Sequence, residues 1–326
     1  MAMKILVIGG TGIIGRACVE LAVSRGLEVD VLTRGRRPVP DGARPLGLDI
    51  SDVDAARRQL RDREYGAVID WLAFTPEDIA RHLELLRGRI GQYVFISSAS
   101  AYQTPPLTIP VTEKTPLSNP YWRYSRDKIA CEEMLAGERS VPITVVRPSH
   151  TYDRTMVPFD GGWTAIQRMR DRKPVIVPGD GTSLWTMTHS ADFAVGIVGL
   201  LGRSEARGET FHITSETPMT WNSIYHAMAA AAGVEPDLVH VASDAIAAAE
   251  PEWGAALLGD KSHSMLFDNS KIRSVVPEFA PRISFEEQGA REIVDWHDAD
   301  PARRTIDPVI DDAMDRLAVA YRPRAL

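Results

Sequence analysis

Short apolar runs alternate with helical patterns through the first half of the chain. Each run has the length of a buried strand, and the segments between runs repeat apolar positions at the helical period. The predicted strands are, in chain order, "KILVIGG", "LEVDVLTR", "RPLGLD", "GAVIDWLAF" and "QYVFISSAS". Predicted helices cover residues 14–25 and begin at Ser51 and at Thr75, with Pro76 at the first helical position. This alternation predicts an α/β fold, with a doubly wound parallel sheet and helices on both of its faces.

Five prolines interrupt residues 104–120, so this segment cannot be a regular helix or a central strand. They are Pro105, Pro106, Pro110, Pro116 and Pro120. Long loops inside a compact domain are often functional, and this one leads directly into a helix that carries Tyr124. We predict a surface loop that forms part of a substrate mouth.

Beyond "VPITVVRPSHTYD" the strict alternation of strands and helices ends. Segments such as "ETFHITS" have the pattern of strands that return to the sheet. We therefore predict a sheet domain of residues 1–154 plus about 184–214. Residues 155–183 and 215–326 are expected to form a smaller, mostly helical C-terminal lobe that binds substrate over the carboxyl ends of the strands.

Composition points to a globular protein with a small-molecule partner. The chain has 326 residues, is 44% hydrophobic and carries a formal net charge of -7, so it has no general attraction for nucleic acid or for an anionic membrane. No apolar run approaches the roughly 20 residues that a membrane helix requires. The first residues show no basic leader or cleavage site, which favours a cytoplasmic location.

Cysteine and histidine usage predicts neither disulfides nor a metal site. The two cysteines, Cys18 and Cys131, both fall inside predicted helices. Two thiols cannot form a disulfide framework, and this usage suits a reducing compartment. The eight histidines are scattered and lack the paired spacing of metal ligands, so we expect no metal.

A glycine-rich turn joins the first strand to the first helix. In "VIGGTGIIGRACVEL", glycines at three-residue intervals allow a tight turn and a close approach of backbone N–H groups to a pyrophosphate. The alternative is a glycine-rich turn that holds no ligand. The position after a strand and before a helix favours dinucleotide binding and makes the sheet domain Rossmann-type. The predicted contacts are Gly9, Thr11, Gly12, Ile13, Ile14 and Gly15.

The end of the second strand predicts which dinucleotide binds. An acidic residue there would hold the ribose hydroxyl of NAD, but this chain has Thr33 and Arg34, with Arg36 and Arg37 just after. These guanidinium groups would attract a 2′-phosphate, which favours NADP, although NAD binding and a merely solvated basic turn remain alternatives. At the third strand end, Asp49, followed by Ile50, could accept a hydrogen bond from the adenine amino group or could cap the next helix.

Tyr124 and Lys128 lie four residues apart in a predicted helix, so both side chains project from one face. A free phenol has a pKa near 10, and an ammonium about 4 Å away could lower that pKa towards 7. The pair would then act as a tuned acid and base, whereas the plain alternative is a surface pair. A hydroxyl to hold a substrate oxygen could come from the fifth strand end, where we prefer Ser98 over Ser97 and Ser100.

These features together resemble the short-chain dehydrogenase/reductase superfamily, and specifically its extended and atypical NAD(P)-dependent epimerase/dehydratase branch. The matching segments span nearly the whole chain and include "GGTGIIG", "LDISD", "FISSASAY", "YWRYSRDK", "VVRPSHTY", "MTHSADFAVGI" and "FDNSKIRSVVPEFAPRISFEEQGAREIVDW". The resemblance implies that Tyr124 is the catalytic acid and base, that Ser98 is the catalytic hydroxyl, and that Lys128 binds the nicotinamide ribose and lowers the tyrosine pKa. It also implies cofactor contacts at Leu72, Ala73, Ser97 and Pro148.

Several residues depart from the pattern of that branch. Ala99 and Ser100 stand where dehydratases carry an Asp-Glu pair, which disfavours a 4,6-dehydratase. His150 replaces an asparagine that many sugar-nucleotide members use, and Asp70 stands where relatives often have a histidine. The helix after Thr75 also lacks the upstream asparagine of many relatives.

The sequence therefore predicts an NAD(P)-dependent oxidoreductase that acts as an epimerase or as a ketone/alcohol reductase on a sugar-nucleotide-like or other small hydroxy or keto substrate. The alternative is a non-catalytic NADP-binding sensor or an RNA-associated family member. The resemblance also suggests a homodimer. Candidate substrate residues, several of which could instead be core, are Ser100, Trp122, His150, Arg154, Trp163 and Trp185.

Overall fold

A seven-stranded parallel sheet forms the centre of the computed structural model, which describes residues 2–322. The strands are β1 (Lys4–Ile8), β2 (Glu28–Thr33), β3 (Arg44–Gly47), β4 (Ala67–Asp70), β5 (Tyr93–Ile96), β6 (Ile143–Pro148), β7 (Thr151–Tyr152), β8 (Val175–Pro178), β9 (Leu184–Thr186), β10 (Thr188–His189), β11 (Glu209–Ile213), β12 (Pro218–Thr220) and β13 (Leu238–Val241). The sheet order is β11-β6-β5-β4-β1-β2-β3. The predicted α/β class with a doubly wound parallel sheet is confirmed.

The helices cover both faces of this sheet and build the C-terminal lobe. They are α1 (Ile13–Ser24), α2 (Val53–Leu60), α3 (Pro76–Leu86), α4 (Arg123–Ala136), α5 (Trp163–Arg170), α6 (Ser190–Leu200), α7 (Trp221–Ala231), α8 (Ser243–Ala249), α9 (Pro251–Ala256), α10 (Ser270–Val275), α11 (Ala290–Asp298) and α12 (Pro308–Tyr321). None of the helices within residues 2–322 is both long and apolar enough to cross a membrane.

Local side-chain chemistry sets where two of these helices begin. Thr75 caps α3, because its side chain accepts from Asp78 N while the Asp78 carboxylate accepts from Thr75 N, and Pro76 follows at the first helical position. Helix α2 begins two residues later than predicted, because Asp52 is its cap. Asp49 instead accepts from the backbone and hydroxyl of Ser51 and closes the turn before α2.

Each face of the sheet buries its own apolar cluster. Helices α1 and α6 pack on one face with Cys18 and Phe193, and helices α2, α3 and α4 pack on the other with Ile79 and Cys131. The two thiols are buried and unpaired on opposite sides of the sheet. Each therefore acts as a small apolar core residue.

The C-terminal lobe has a core of its own, to which α5, α7, α11 and α12 contribute Ile166, Met228, Ile293 and Met314. Short pairings of β8 with β13 and of β9 with β12 support these helices. Ile272, in the part of the chain assigned to the lobe, packs into the sheet domain. The boundaries of the domain division stay a prediction.

Residues 104–120 form no regular helix or strand, as their prolines predict. Two isolated bridges fasten the loop, one between Tyr102 and Leu117 and one between Val111 and Phe267. The loop ends just before α4, which carries Tyr124 and Lys128.

Candidate active site

The candidate residues meet because they follow parallel strands whose carboxyl ends share one edge of the sheet. The glycine turn follows β1, the basic turn follows β2, residues 71–74 follow β4, and Ser97 to Ser100 follow β5. The strand order reverses beside β1, which has β2 on one side and β4 on the other. Such a reversal opens a crevice for ligands at the carboxyl ends.

One cavity of about 570 Å³ collects most of the predicted cofactor contacts. Its lining includes Gly9, Thr11, Gly12, Thr33, Arg34, Arg37, Asp49, Ile50 and Leu72. Arg36, from the basic turn, also lines the cavity. Three further lining residues, Ser51, Arg81 and His82, were not predicted as cofactor contacts. Arg81 and His82 lie in the middle of α3, whose sequence has only the pattern of an ordinary helix. Eight predicted cofactor contacts are not among the residues that line this cavity: Ile13, Ile14, Gly15, Ala73, Ser97, Tyr124, Lys128 and Pro148.

The three glycines fit a dinucleotide for three different physical reasons. Gly9 has φ +86°, and a Cβ there would come 2.7 Å from Leu72 Cγ, so only glycine makes this turn. A Cβ at Gly12 would meet no atom within 4 Å, which leaves open space towards the cavity. A Cβ at Gly15 would lie 3.0 Å from Gly10 Cα, so the helix could not pack so closely on the turn. The turn therefore suits an NAD(P) pyrophosphate at the beginning of α1.

The ribose end of the cavity is basic. Arg34, Arg36 and Arg37 are exposed and line it. Hydrogen bonds from Ser51 are the main cause of the lowered pKa of the Asp49 carboxyl, and Arg34 and Arg36 lower it further. This part of the cavity is thus rich in guanidinium groups.

Lys128 reaches from α4 to the ends of two neighbouring strands. Its side chain is 2% exposed, and Nζ donates to Ala73 O and to Ile96 O at 2.8 Å each. Nζ lies 5.8 Å from the centroid of the Tyr124 ring. An ammonium has three donors, so one remains for a ligand. Burial lowers the pKa of Lys128 to about 8.

The pKa of the half-buried Tyr124 phenol shifts in the direction opposite to the one expected from sequence. Burial raises the pKa of Tyr124 above its ordinary value, the Ser98 hydroxyl lowers it, and the Asp260 carboxyl raises it again. The spacing argument expected a net lowering by Lys128. That lowering is not seen because desolvation is the largest cause, and the Lys128 ammonium is engaged by two carbonyl oxygens.

The three serines after β5 have different hydrogen-bond partners. The Ser98 and Ser100 hydroxyls are 2.8 Å apart, and Ser125 donates to Ser100 at 2.8 Å. Ser97 instead donates to the buried carboxylate of Glu132. Ser97 is therefore occupied, and Ser98 is the hydroxyl that acts on Tyr124.

Trp122 packs beside Tyr124, whereas Trp185 and Trp221, which are 1% and 2% exposed, belong to the core of the lobe. The ring of Trp122 lies 4.8 Å from that of Tyr124, and His150 makes edge contacts with Trp185 at 6.2 Å and with Trp221 at 5.9 Å. Burial, helped by the nearby Lys261 ammonium, lowers the pKa of His150 to about 3, so the imidazole is neutral at physiological pH. Its Nε2 is buried without a hydrogen-bond partner among the described residues.

Two other candidates lie apart from this group. Trp163 is 3% exposed and stacks on His297 with centroids 4.8 Å apart, within the core of the lobe. Arg154 is exposed on the chain after β7. The structure does not bring either side chain to Tyr124 through any contact among the described residues.

Asp70, which departs from the family pattern, is the centre of a buried hydrogen-bond network. One carboxylate oxygen accepts from Leu72 N and Ala73 N at 2.9 and 3.1 Å. The other lies 2.5 Å from His82 Nδ1 and 2.6 Å from Tyr93 OH. These donors hold the pKa of the Asp70 carboxyl below its usual range despite its burial. The network fixes the turn whose Ala73 carbonyl receives Lys128.

Asp260, Lys261 and Asp160 were missed from sequence. The segment Leu257–Lys261 is a π-helical turn with no apolar period that could have marked it. Lys261 Nζ lies 3.0 Å from Asp160. No three His, Cys, Asp or Glu side chains within residues 2–322 are grouped so that they could hold a metal ion.

Known proteins resemble this chain in sequence and in fold. Residues 5–214 match the model of the NAD dependent epimerase/dehydratase family. The chain is 28% identical over 253 residues to chloroplast stem-loop binding protein of 41 kDa b from Arabidopsis thaliana, covering 73% of this chain and 65% of that protein. It is 33% identical over 154 residues to UDP-glucose 4-epimerase from Lactobacillus helveticus, covering 41% of this chain and 46% of that protein. The chain thus spans less than two thirds of the length of either relative.

Among solved structures, UDP-glucuronic acid 4-epimerase from Bacillus cereus, in complex with NAD, superposes with a TM-score of 0.73 at 18% identity, covering 91% of this chain and 99% of that one. At that identity the likeness shows the fold. Because the family model covers more than half of the chain, the protein belongs to the NAD dependent epimerase/dehydratase family, which confirms the resemblance found in the sequence.

Proposed function

We propose that this protein is an NADP-preferring oxidoreductase that moves hydride between a nicotinamide and a carbon bearing a hydroxyl or carbonyl. The observation that carries the proposal is the convergence of Tyr124, Ser98 and Lys128. Lys128 binds the carbonyl of Ala73, the neighbour of Leu72, and Leu72 lines the cavity. A bound nicotinamide supplies or accepts the hydride, and the protein supplies orientation and the proton.

In this proposal Tyr124 transfers the proton and Ser98 hydrogen-bonds the substrate oxygen. Since the pKa of Tyr124 is raised, the phenol is protonated at neutral pH and is ready to donate to a carbonyl oxygen during reduction. Oxidation of an alcohol needs the phenolate, so its rate should rise with pH. The free donor of Lys128 orients the cofactor ribose.

The basic turn supports the preference for NADP. Arg34, Arg36 and Arg37 line the cavity, and no acidic residue stands at the end of β2. NAD remains the alternative, and the Bacillus cereus relative is in complex with it. Denaturing the purified protein and identifying the released dinucleotide by mass spectrometry decides between the two.

Epimerisation and net reduction share the same first step in this proposal. They differ in whether the keto intermediate stays bound, turns and is reduced again. The likeness to UDP-sugar epimerases favours a sugar-nucleotide-like substrate, and other small hydroxy or keto compounds suit the same chemistry. Any small molecule released together with the dinucleotide is the first substrate to test.

Tyr124→Phe tests the assignment. We expect unchanged NADPH affinity, measured by fluorescence titration, and a loss of turnover of about a hundredfold or more, measured as NADPH oxidation. Tyr121→Phe is the matched control, because Tyr121 lies three residues away and is 45% exposed. If the Tyr124 variant kept wild-type turnover, the site assignment would be wrong.

The second candidate is an NADP-binding protein without turnover that associates with RNA. The 28% identity to a chloroplast stem-loop binding protein favours it. RNA retention that weakens steeply with salt and is indifferent to Tyr124→Phe would support this candidate against the enzyme. The homodimer suggested by the resemblance also stays a proposal. Met134 on α4 is 40% exposed, so this helix has an apolar side chain on its surface that a second copy of the chain could cover.

A further inference from the structure

Two neighbouring residues of α3 line the nucleotide cavity and carry polar atoms that have no partner. Arg81 and His82 both belong to the cavity wall. Arg81 Nε and His82 Nε2 are buried, and neither makes a hydrogen bond to any described residue. The other polar ends of these side chains are paired, Arg81 with Asp78 and His82 with Asp70. A buried polar atom without a partner is unfavourable, so a ligand in the cavity is the natural source of the missing hydrogen bonds.

The Asp70 carboxylate fixes the orientation of the His82 ring. His82 is 0% exposed, and its Nδ1 lies 2.5 Å from Asp70 Oδ2, which also accepts from Tyr93 OH at 2.6 Å. Although burial raises it, the pKa of the Asp70 carboxyl stays below its usual range because His82 and Tyr93 donate to it. An ionised carboxylate can only accept, so when the ring carries one proton, that proton is on Nδ1. His82 Nε2 is then an acceptor.

The same carboxylate fixes an apolar wall of the cavity. Asp70 Oδ1 accepts from Leu72 N at 2.9 Å, and the Leu72 side chain lines the cavity. Leu48 and Ile50 line it too, and they follow β3, which stands on the other side of β1 from β4. Apolar side chains from both sides of β1 suit the flat faces of an aromatic base.

The other parts of an adenine dinucleotide have their places elsewhere in the cavity. The glycine turn opens on α1, which packs on one face of the sheet, and the guanidinium groups follow β2. Arg81 and His82 belong to α3, which packs on the opposite face. With the pyrophosphate at the beginning of α1 and the ribose at the basic turn, the base is the part that remains for the α3 side.

The edge of adenine has one donor group, its amino group, whereas its unsubstituted ring nitrogens accept. An acceptor at His82 Nε2 therefore matches the amino group. Asp49, which the sequence suggested for the same group, already accepts from the backbone and hydroxyl of Ser51 through Oδ1. The amino group has two hydrogens, so contacts with His82 and with Asp49 do not exclude each other.

We propose that His82 is a further cofactor-binding residue, whose Nε2 accepts a hydrogen bond from the amino group of a bound adenine dinucleotide. The contact makes the site selective for adenine over a purine with an oxo group at that position, because two acceptors would then face each other. Asp70 acts through His82 as a positioning residue. The inference rests on the proposed function for the binding of a dinucleotide, and it holds whichever reaction follows.

A merely structural role of His82 leads to a different expectation. If the imidazole only held Asp70, its loss would loosen the turn at Leu72 and weaken the binding of every dinucleotide alike. A contact with the base instead changes the ratio of two dissociation constants, measured for dinucleotides that differ only in the base.

Isothermal titration of the full chain with NADP⁺ and with nicotinamide hypoxanthine dinucleotide phosphate measures this ratio, because the second probe has an oxo group in place of the amino group. We expect the wild type to bind NADP⁺ about tenfold more tightly. His82→Asn keeps an amide N–H for Asp70 but has no atom at the place of Nε2, and His82→Phe keeps a ring. Both variants should lower the ratio by at least about threefold. Glu84→Gln, on the exposed side of the same helix, should leave it unchanged.

Two results would overturn the proposal: a wild-type ratio within about twofold of one, or a ratio that both His82 variants retain. In the second case, a ratio that is lost in Asp49→Ala would assign the amino group to Asp49 alone. Circular dichroism and urea unfolding check the fold of the variants. The two His82 substitutions disturb the fold differently, because asparagine leaves a void and phenylalanine leaves Asp70 without a partner, so one can be measured if the other does not fold.

Failure of the proposed function is distinct from failure of this contact. If the chain prefers NAD, the corresponding pair of dinucleotides without the 2′-phosphate gives the same ratio. If neither pair binds, the proposed function and the contact are both wrong, whereas binding with an unchanged ratio removes the contact alone.

Discussion

Gly12→Ala should separate the stability of the fold from the binding of the dinucleotide. A Cβ at Gly12 meets no atom within 4 Å, and the backbone, with φ -80°, is already in a region open to alanine. The only folding cost is the weaker preference of alanine for the cap position of α1, at most about 1 kcal/mol. The methyl group does occupy the open space through which a pyrophosphate would approach the start of the helix.

The magnitude follows from that geometry. A displaced pyrophosphate loses backbone hydrogen bonds that together contribute about 1.5–3 kcal/mol. This loss corresponds to a dissociation constant for NADPH that is about 10- to 100-fold larger. Gly15→Ala is the matched control, because its Cβ would lie 3.0 Å from Gly10 Cα, a backbone atom. That variant should lose about 1–3 kcal/mol of unfolding free energy even without cofactor.

Isothermal titration with NADPH and urea unfolding of the ligand-free protein measure the two quantities for both variants. The reasoning is refuted if Gly12→Ala binds NADPH within twofold of the wild type. A loss of more than about 2 kcal/mol of unfolding free energy in that variant would also refute it, because the added methyl group would then be clashing with neighbouring atoms.

Three further predictions concern the neighbouring groups. The lowered pKa of Lys128, about 8 in the fold against 10.5 unfolded, means that the unfolded chain binds more protons between these values. The wild type should therefore gain about 2 kcal/mol over Lys128→Met between pH 7.5 and 9.5 in urea unfolding, and an equal response of both proteins would contradict this. Asp70→Asn should lose about 2–4 kcal/mol of unfolding free energy, because an amide N–H₂ in place of either oxygen must face two of the four donors, whereas the exposed Asp54→Asn should be neutral. Replacing Arg34 and Arg37 together by serine should weaken NADPH binding about tenfold and leave NADH within twofold; equal losses for both cofactors would remove the case for a 2′-phosphate site.

Much of the sheet domain follows from local pattern. The buried strands β1, β2 and β5 end in glycine, basic or serine turns, and in a parallel sheet those turns must share an edge. The grouping of the glycine turn with Arg34 and Asp49 around one cavity could therefore be predicted from sequence. The start of α2 was missed because Ser51 and Asp52 are both good caps, and only the turn closed by Asp49 selects the second.

The rest depends on contacts between distant residues. The partnership of Asp70 with His82 joins a strand end to a helix, and no local pattern indicates it. The direction of the Tyr124 pKa follows from desolvation, which spacing along a helix cannot reveal. Asn119 and two indoles fix the turn Leu257–Lys261 near the beginning of α4, although this turn lies more than a hundred residues later in the chain.

The ammonium of Lys128 joins the carboxyl ends of β4 and β5, because it binds the carbonyl oxygens of Ala73, which follows β4, and of Ile96, the last residue of β5. If Lys128 also orients the cofactor, as proposed above, structural integrity and reactivity depend on one side chain and cannot be lost independently at this position. In a lineage that stopped using the reaction but still needed the folded chain, Tyr124 would be free to drift while Lys128 stayed under selection. A descendant that retains the lysine but has lost the tyrosine would mark a former enzyme.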